Sequence, residues 1–182
     1  MEDNISFQVR RFNPDNYNGS NGYFQTYYIP KNMIDGMTII TALSYIQEKV
    51  DHSLTFYYSC ELAKCRGCVM LVNGKVVYAC TEAIKDDMVI EPIPNLPIIR
   101  DLMVKFIESE VYLDEKLCNS CGLCVNECPM GIFELQENKE FVLVRDGRLN
   151  SFKEIPDVVD CIGCRKCELI CRKKAITITH KK

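Results

Sequence analysis

CNSCGLCVNECP, residues 118–129, places four cysteines in eleven positions and closes on a proline. CIGCRKCELICR, residues 161–172, repeats the arrangement. Extended to CNSCGLCVNECPMGIFEL and CIGCRKCELICRKKAITI, the two stretches align without a gap at an offset of 43. Each follows C-x2-C-x2-C-x3-C, a run in which three thiolates wrap one [4Fe–4S] cube and the fourth crosses to a second. The crossing predicts two ligand sets: Cys118, Cys121, Cys124 with Cys171, and Cys161, Cys164, Cys167 with Cys128. It also explains the duplication, because each half supplies the ligand its partner lacks.

Four cysteines remain. Cys60-x4-Cys65-x2-Cys68, followed by Cys80 after eleven intervening residues, has the plant-type spacing for a [2Fe–2S] cluster. Small residues such as Ala63 and Gly67 allow backbone amides to approach the sulfurs, where hydrogen bonds adjust the potential. Asn73-Gly74, between two apolar runs, is a hairpin signal that folds Cys80 back toward the loop. All twelve cysteines are then used. Structural zinc uses two separated pairs more often than four thiols in eleven residues. Disulfides are disfavoured because thiols so close along the chain cannot all pair without strain.

The rest of the chain is that of an ordinary soluble protein: 182 residues, 47% apolar, 26% charged, with a net charge of −3. No apolar run approaches the roughly 20 residues of a membrane span. The opening MEDNISFQVRRF does not read as a signal peptide, and reduced thiols holding metal fit a cytoplasmic setting. The charge balance gives no nucleic-acid signal, and the small basic end (Arg172, Lys173, Lys174, Lys181, Lys182) reads as a solvated tail. His52 and His180, the only histidines, read as surface or helix-end residues, and Asp86-Asp87 as a turn. No residue reads as a catalyst acting on an organic substrate.

The predicted elements give an α+β chain. ISFQVRRF (5–12) and YFQTYYIP (23–30) read as strands around a turn-rich loop. Ile39, Leu43, Ile46 and Val50 form a helical stripe behind Thr38 as cap. With the VMLVNGKVVYAC hairpin they suggest a small mixed sheet grasping one helix. EPIPNLP, 91–97, is a boundary, and Ile99, Leu102, Met103, Phe106 and Ile107 predict a helix joining two domains. The expected division is 1–97, a linking helix at 98–112, and 113–182. EFVLVRDGRLNSF, between the two runs, reads as a hairpin turning at Asp146-Gly147.

FQVRRFNPD, YFQTY, SCELAKCRGCVMLVNGKVVYAC and IEPIPNLPIIRDLMV resemble the iron–sulfur subunit of succinate dehydrogenase and fumarate reductase. The cysteine pattern carries the resemblance to nearly the whole chain. It implies a β-grasp [2Fe–2S] domain, then a ferredoxin-like two-cluster domain, docked on a flavoprotein subunit that carries FAD and the dicarboxylate site. Three features depart from the family. Its last run is usually C-x5-C-x3-C, leaving a [3Fe–4S] cluster; here Cys164 fills the vacancy and a full [4Fe–4S] cube is expected. The link between the runs is compact, as in a bacterial ferredoxin, where the family carries a longer helical insert. There is no tryptophan, so the one that helps line the family's quinone pocket has no counterpart. Arg172 also replaces the proline that commonly follows the last cysteine, and Lys64 and Arg66 bring charge into the [2Fe–2S] loop.

The expectation is an electron-transfer subunit of a flavin-dependent oxidoreductase, relaying single electrons between a low-potential donor or acceptor protein and an FAD-containing catalytic subunit. A free-standing polycluster ferredoxin serving several redox enzymes is the alternative.

Overall fold

In a computed structural model of the chain, residues 3–16, 22–63, 65, 67–107, 109–128, 130–135, 141–143 and 161–180 are described. The chain divides into two compact units, Met1–Lys105 and Phe106–Lys182.

The first unit is built on alternation. In β1 (Asn4–Arg11), Ile5, Phe7, Val9 and Arg11 point inward. β2 (Tyr23–Pro30) returns antiparallel beside it, with Phe7 opposite Tyr27. α1 (Ile39–Lys49) starts at Thr38, whose side chain accepts Thr41 N–H while Thr41 Oγ1 accepts Thr38 N–H. This reciprocal cap satisfies donors that a helix start leaves orphaned. Ile39, Ile40, Ala42, Leu43 and Ile46 are buried along the helix, in one core with Ile5, Phe7 and Val9.

β3 (Val69–Val72) and β4 (Lys75–Tyr78) flank Asn73 and Gly74, whose φ values of 48° and 76° suit the two-residue hairpin turn. β5 (Met88–Glu91) was not anticipated from the sequence. It lies parallel to β1 and antiparallel to β3, giving the sheet order β2-β1-β5-β3-β4. Five strands, rather than four, thus grasp α1.

Among the described residues of 98–112 there is no helix. The segment forms β6 (Ile98–Arg100), β7 (Met103–Val104) and, in the second unit, β8 (Ser109–Leu113). Asp101 is the reason. It stands at φ 47°, outside the right-handed helix, and its carboxylate accepts Phe12 N–H at 3.0 Å and Thr55 N–H at 2.9 Å. Leu102 N–H goes to Thr55 O at 3.1 Å, so tertiary bonds take donors that a helix would need. Of the apolar stripe, Leu102 is buried while Ile99 is 46% exposed.

In the second unit, α2 (Leu123–Glu127) follows the first cysteines, and β9 (Phe133–Leu135) pairs antiparallel with β10 (Phe141–Leu143). α3 (Lys166–Ile170) leads to β11 (Ile176–His180), which pairs antiparallel with β8. The expected turn at Asp146-Gly147 lies outside the described residues.

The sequence repeat is a backbone repeat. Helices α2 and α3 occupy equivalent positions, each entered through a left-handed residue, Gly122 at φ 75° and Arg165 at φ 58°. Ser120 and Gly163 form a second such pair, and Gly131 and Lys174 a third. At each pair one copy of the repeat holds glycine, the residue that adopts this conformation without steric cost.

Candidate iron–sulfur sites

In the first unit, Glu61 and Ala63 are left-handed, at φ 55° and 57°, and turn successive N–H groups inward. Cys60 Sγ accepts Cys65 N–H at 3.1 Å and Leu62 N–H at 3.4 Å, and Ala63 N–H reaches Cys80 Sγ at 3.2 Å. Such a concavity of backbone N–H groups favours negative charge. Cys68 and Cys80 are buried, with their sulfurs 3.2 Å apart.

Local bonds explain how Cys80 comes back to the loop. Ala79 donates its N–H to Cys68 O at 3.0 Å and accepts Ile40 N–H at 2.9 Å, while Glu82 O accepts Ile39 N–H. The start of α1 is thereby bonded on both sides of Cys80. On the loop's other face, Tyr57 packs so closely that a Cβ at Gly67 would lie 2.1 Å from its ring. The constraint on Gly67 is space beside the Tyr57 ring rather than φ. Lys64 and Arg66 fall outside the described residues.

In the second unit the two runs hold their last cysteines alike. Cys128 Sγ accepts Ile132 N–H at 3.5 Å, and Cys171 Sγ accepts the equivalent Ala175 N–H at 3.3 Å. Cys118 Sγ accepts Ser120 N–H at 3.4 Å. Cys128, although it belongs to the first run, lines one small cavity with Cys161, Cys164 and Cys167, walled by Met130, Ile132 and Phe133. Cys118 and Cys121 are the cysteine neighbours that act on Cys124. Lys166 Nζ meets Glu127 at 2.8 Å, joining α3 to α2.

Burial pushes the Cys124 thiol up to about 11, Cys118 and Cys121 adding repulsion. It pushes Cys68 up to about 12, with Cys80 and Cys65 contributing. Burial also raises Cys164 and Cys167, and Cys128 adds to both. Metal-free, these sulfurs stay protonated at neutral pH; iron reverses the preference, since a coordinating thiol is deprotonated outright. None of the twelve cysteines is in a disulfide. Grouped soft donors, apolar walls and inward N–H groups fit iron–sulfur clusters. Among the described residues no three or more His, Cys, Asp or Glu converge as around one metal ion. A cluster's thiolate shell is wider, because its thiolates are spread over two or four irons rather than converging on one ion.

The left-handed positions were not read from the sequence, yet the repeat contains the signal for those of the second unit: a glycine in one copy at each. Nothing local announced the buried network around Arg11, described below.

Residues 6–113 match the family model described as "2Fe-2S iron-sulfur cluster binding domain", and residues 117–176 match "4Fe-4S dicluster domain". The chain is 30% identical to the fumarate reductase iron–sulfur subunit of Haemophilus influenzae over 69% of its own length and 64% of that protein's. The chain belongs to the succinate dehydrogenase/fumarate reductase iron–sulfur subunit family. As in that family, a [2Fe–2S] domain precedes a two-cluster domain, here matched by the 4Fe-4S dicluster model. An uncharacterised iron–sulfur protein of Methanocaldococcus jannaschii is 27% identical over 97% of this chain and 42% of its own. The chain thus spans less than two thirds of the length of these curated relatives. Its fold resembles a chain of the Mycobacterium smegmatis Sdh1 complex in the apo form, with a TM-score of 0.52 and 18% identity, covering 92% of this chain and 63% of that one. Among the described residues no helix is long and apolar enough to cross a membrane.

Proposed function

We propose that the chain is the electron-relay subunit of a flavin-dependent oxidoreductase of the succinate dehydrogenase/fumarate reductase type. It passes single electrons between a low-potential donor protein and an FAD-containing catalytic subunit, in the cytoplasm. Cys60, Cys65, Cys68 and Cys80 hold the [2Fe–2S] cluster; Cys118, Cys121, Cys124 and Cys171 hold one [4Fe–4S] cluster; Cys128, Cys161, Cys164 and Cys167 hold the other. Iron–sulfur clusters supply one-electron redox chemistry. The chain's own residues bury the sulfurs, aim N–H groups at them and exclude water, which together set the potentials.

The observation that supports the reading most is the company of Cys128, which shares a cavity with Cys161, Cys164 and Cys167 rather than with its own run. Crossed ligation is what two adjacent cubes need. Cys164 lies within that group, so the second set has four thiols and a complete cube is expected.

Iron analysis and electron paramagnetic resonance of anaerobically purified protein test the assignment. About ten irons per chain are expected, with no three-iron signal in undamaged material. Cys164→Ser should convert one cube toward a three-iron form. Zinc in place of iron, or an iron count that Cys164→Ser leaves unchanged, overturns the ligand sets. Elution of the holoprotein from its native cells without any flavoprotein overturns the relay role.

A further inference from the structure

The repeat supplies its own control for charge. Residues 165–174, RKCELICRKK, hold five cations and one carboxylate. The equivalent 122–131, GLCVNECPMG, hold one carboxylate and no cation. Both stretches build the same short helix and the same following turn: Gly131 N–H goes to Cys128 O at 3.2 Å, and Lys174 N–H to Cys171 O at 3.0 Å. The turn therefore forms without cations, and their presence in one copy needs another cause.

Two of the five are partly neutralised: Lys166 pairs with Glu127, and Arg165 Nε meets Glu168 at 2.5 Å. Arg172, Lys173 and Lys174 are exposed, with no ion pair among the described residues. Of the nearby acids, Asp114 is engaged by Lys116 N–H in its own turn, and Glu115 is exposed. Leu169, on the same strip, is 75% exposed where the first copy has Asn126. A chain with net charge −3 repels acidic proteins at long range, so a local basic strip around an apolar contact is what such a partner requires.

We infer that residues 165–174 are the docking face for a small acidic one-electron carrier protein, with Arg172, Lys173 and Lys174 steering it and Leu169 making the apolar contact. The inference rests on the relay reading above and gives the donor its chemistry. Cys167 and Cys171 lie within the strip, so the carrier seats over the cluster-binding part of the chain. One electron leaves the carrier and one arrives on this chain, with no bond or proton change.

The test uses the full-length holoprotein and an acidic plant-type [2Fe–2S] ferredoxin as probe, with calorimetric titration of the oxidised proteins at low and high salt. Lys173→Glu/Lys174→Glu should weaken binding about tenfold at low salt, and high salt should bring the wild type down to the variant. Lys173→Gln/Lys174→Gln should fall between, with iron content unchanged in both variants. Leu169→Ser should weaken binding without altering its salt dependence. Equal affinity for wild type and charge-reversed protein overturns the docking face. So does equal binding of a basic c-type cytochrome, or a loss confined to anionic phospholipid vesicles, which would assign the strip to a lipid surface. Reduced methyl viologen separates the two levels. Failure to reduce the wild type sinks the relay reading, whereas equal reduction of all proteins with unchanged ferredoxin affinity sinks only the docking face.

Discussion

Arg11 and Asp101 stand ninety residues apart in the chain and meet at 2.9 Å, with side chains only 7% and 3% exposed. Arg11 Nη2 also donates to Ser53 Oγ at 2.9 Å, and Nη1 reaches Gln25, Tyr27 and Asp51. One guanidinium thus ties the end of β1 to the segment after α1 and to the turn between β6 and β7.

Removing one member of a buried pair leaves the other charged, desolvated and unmatched, which costs about 3–5 kcal/mol. Asp101→Ala should lie at the lower end, because Asp51 still faces Arg11, although Phe12 and Thr55 N–H groups lose their acceptor. Urea unfolding at neutral pH measures the loss. A change under about 1 kcal/mol would show that the network contributes little.

Asp51 adds an acid dependence. Partial burial works against its ionisation, but hydrogen bonds from Ser53, Tyr27 and Arg11 outweigh burial and hold its carboxyl well below the usual carboxylate range. Because the folded value lies below the unfolded one, this stabilisation is complete above the unfolded pKa and is lost as pH falls through the folded one. The stability gap between wild type and Asp51→Asn should be constant above about pH 5 and narrow below about pH 4. A gap that widens on acidification would contradict the sign.

Gly67→Ala tests the packing of the [2Fe–2S] loop. The added methyl meets Tyr57 Cε1 at 2.1 Å and Cδ1 at 2.3 Å, so ring or loop must move. Bound iron should fall from about ten toward about eight per chain, with the [4Fe–4S] signals kept. Gly67→Ala combined with Tyr57→Ala should recover the lost iron. Undiminished iron in the single variant would mean that the ring yields and the loop does not.

What could be read along the chain depended on how locally each feature was encoded. The Asn73-Gly74 turn was legible because its geometry accepts few residues. Thr38 was legible as a cap because it precedes an apolar stripe. β5 was not, since four residues carry little pattern and its place beside β1 depends on strands some eighty residues away. The stripe from Ile99 to Ile107 was misread because periodicity cannot reveal that Asp101 is captured by Arg11, Phe12 and Thr55.

The order of the cysteines alone indicated the kinds of cluster and their number, because most thiolates around one small inorganic core come from positions a few residues apart. Which surfaces the cysteine runs present, how Cys80 is bonded back against α1 and why Arg11 lies buried were decided only in three dimensions. Those outcomes come from packing apolar faces that lie far apart in sequence, and each buried polar group must then find its partner wherever the packing leaves one.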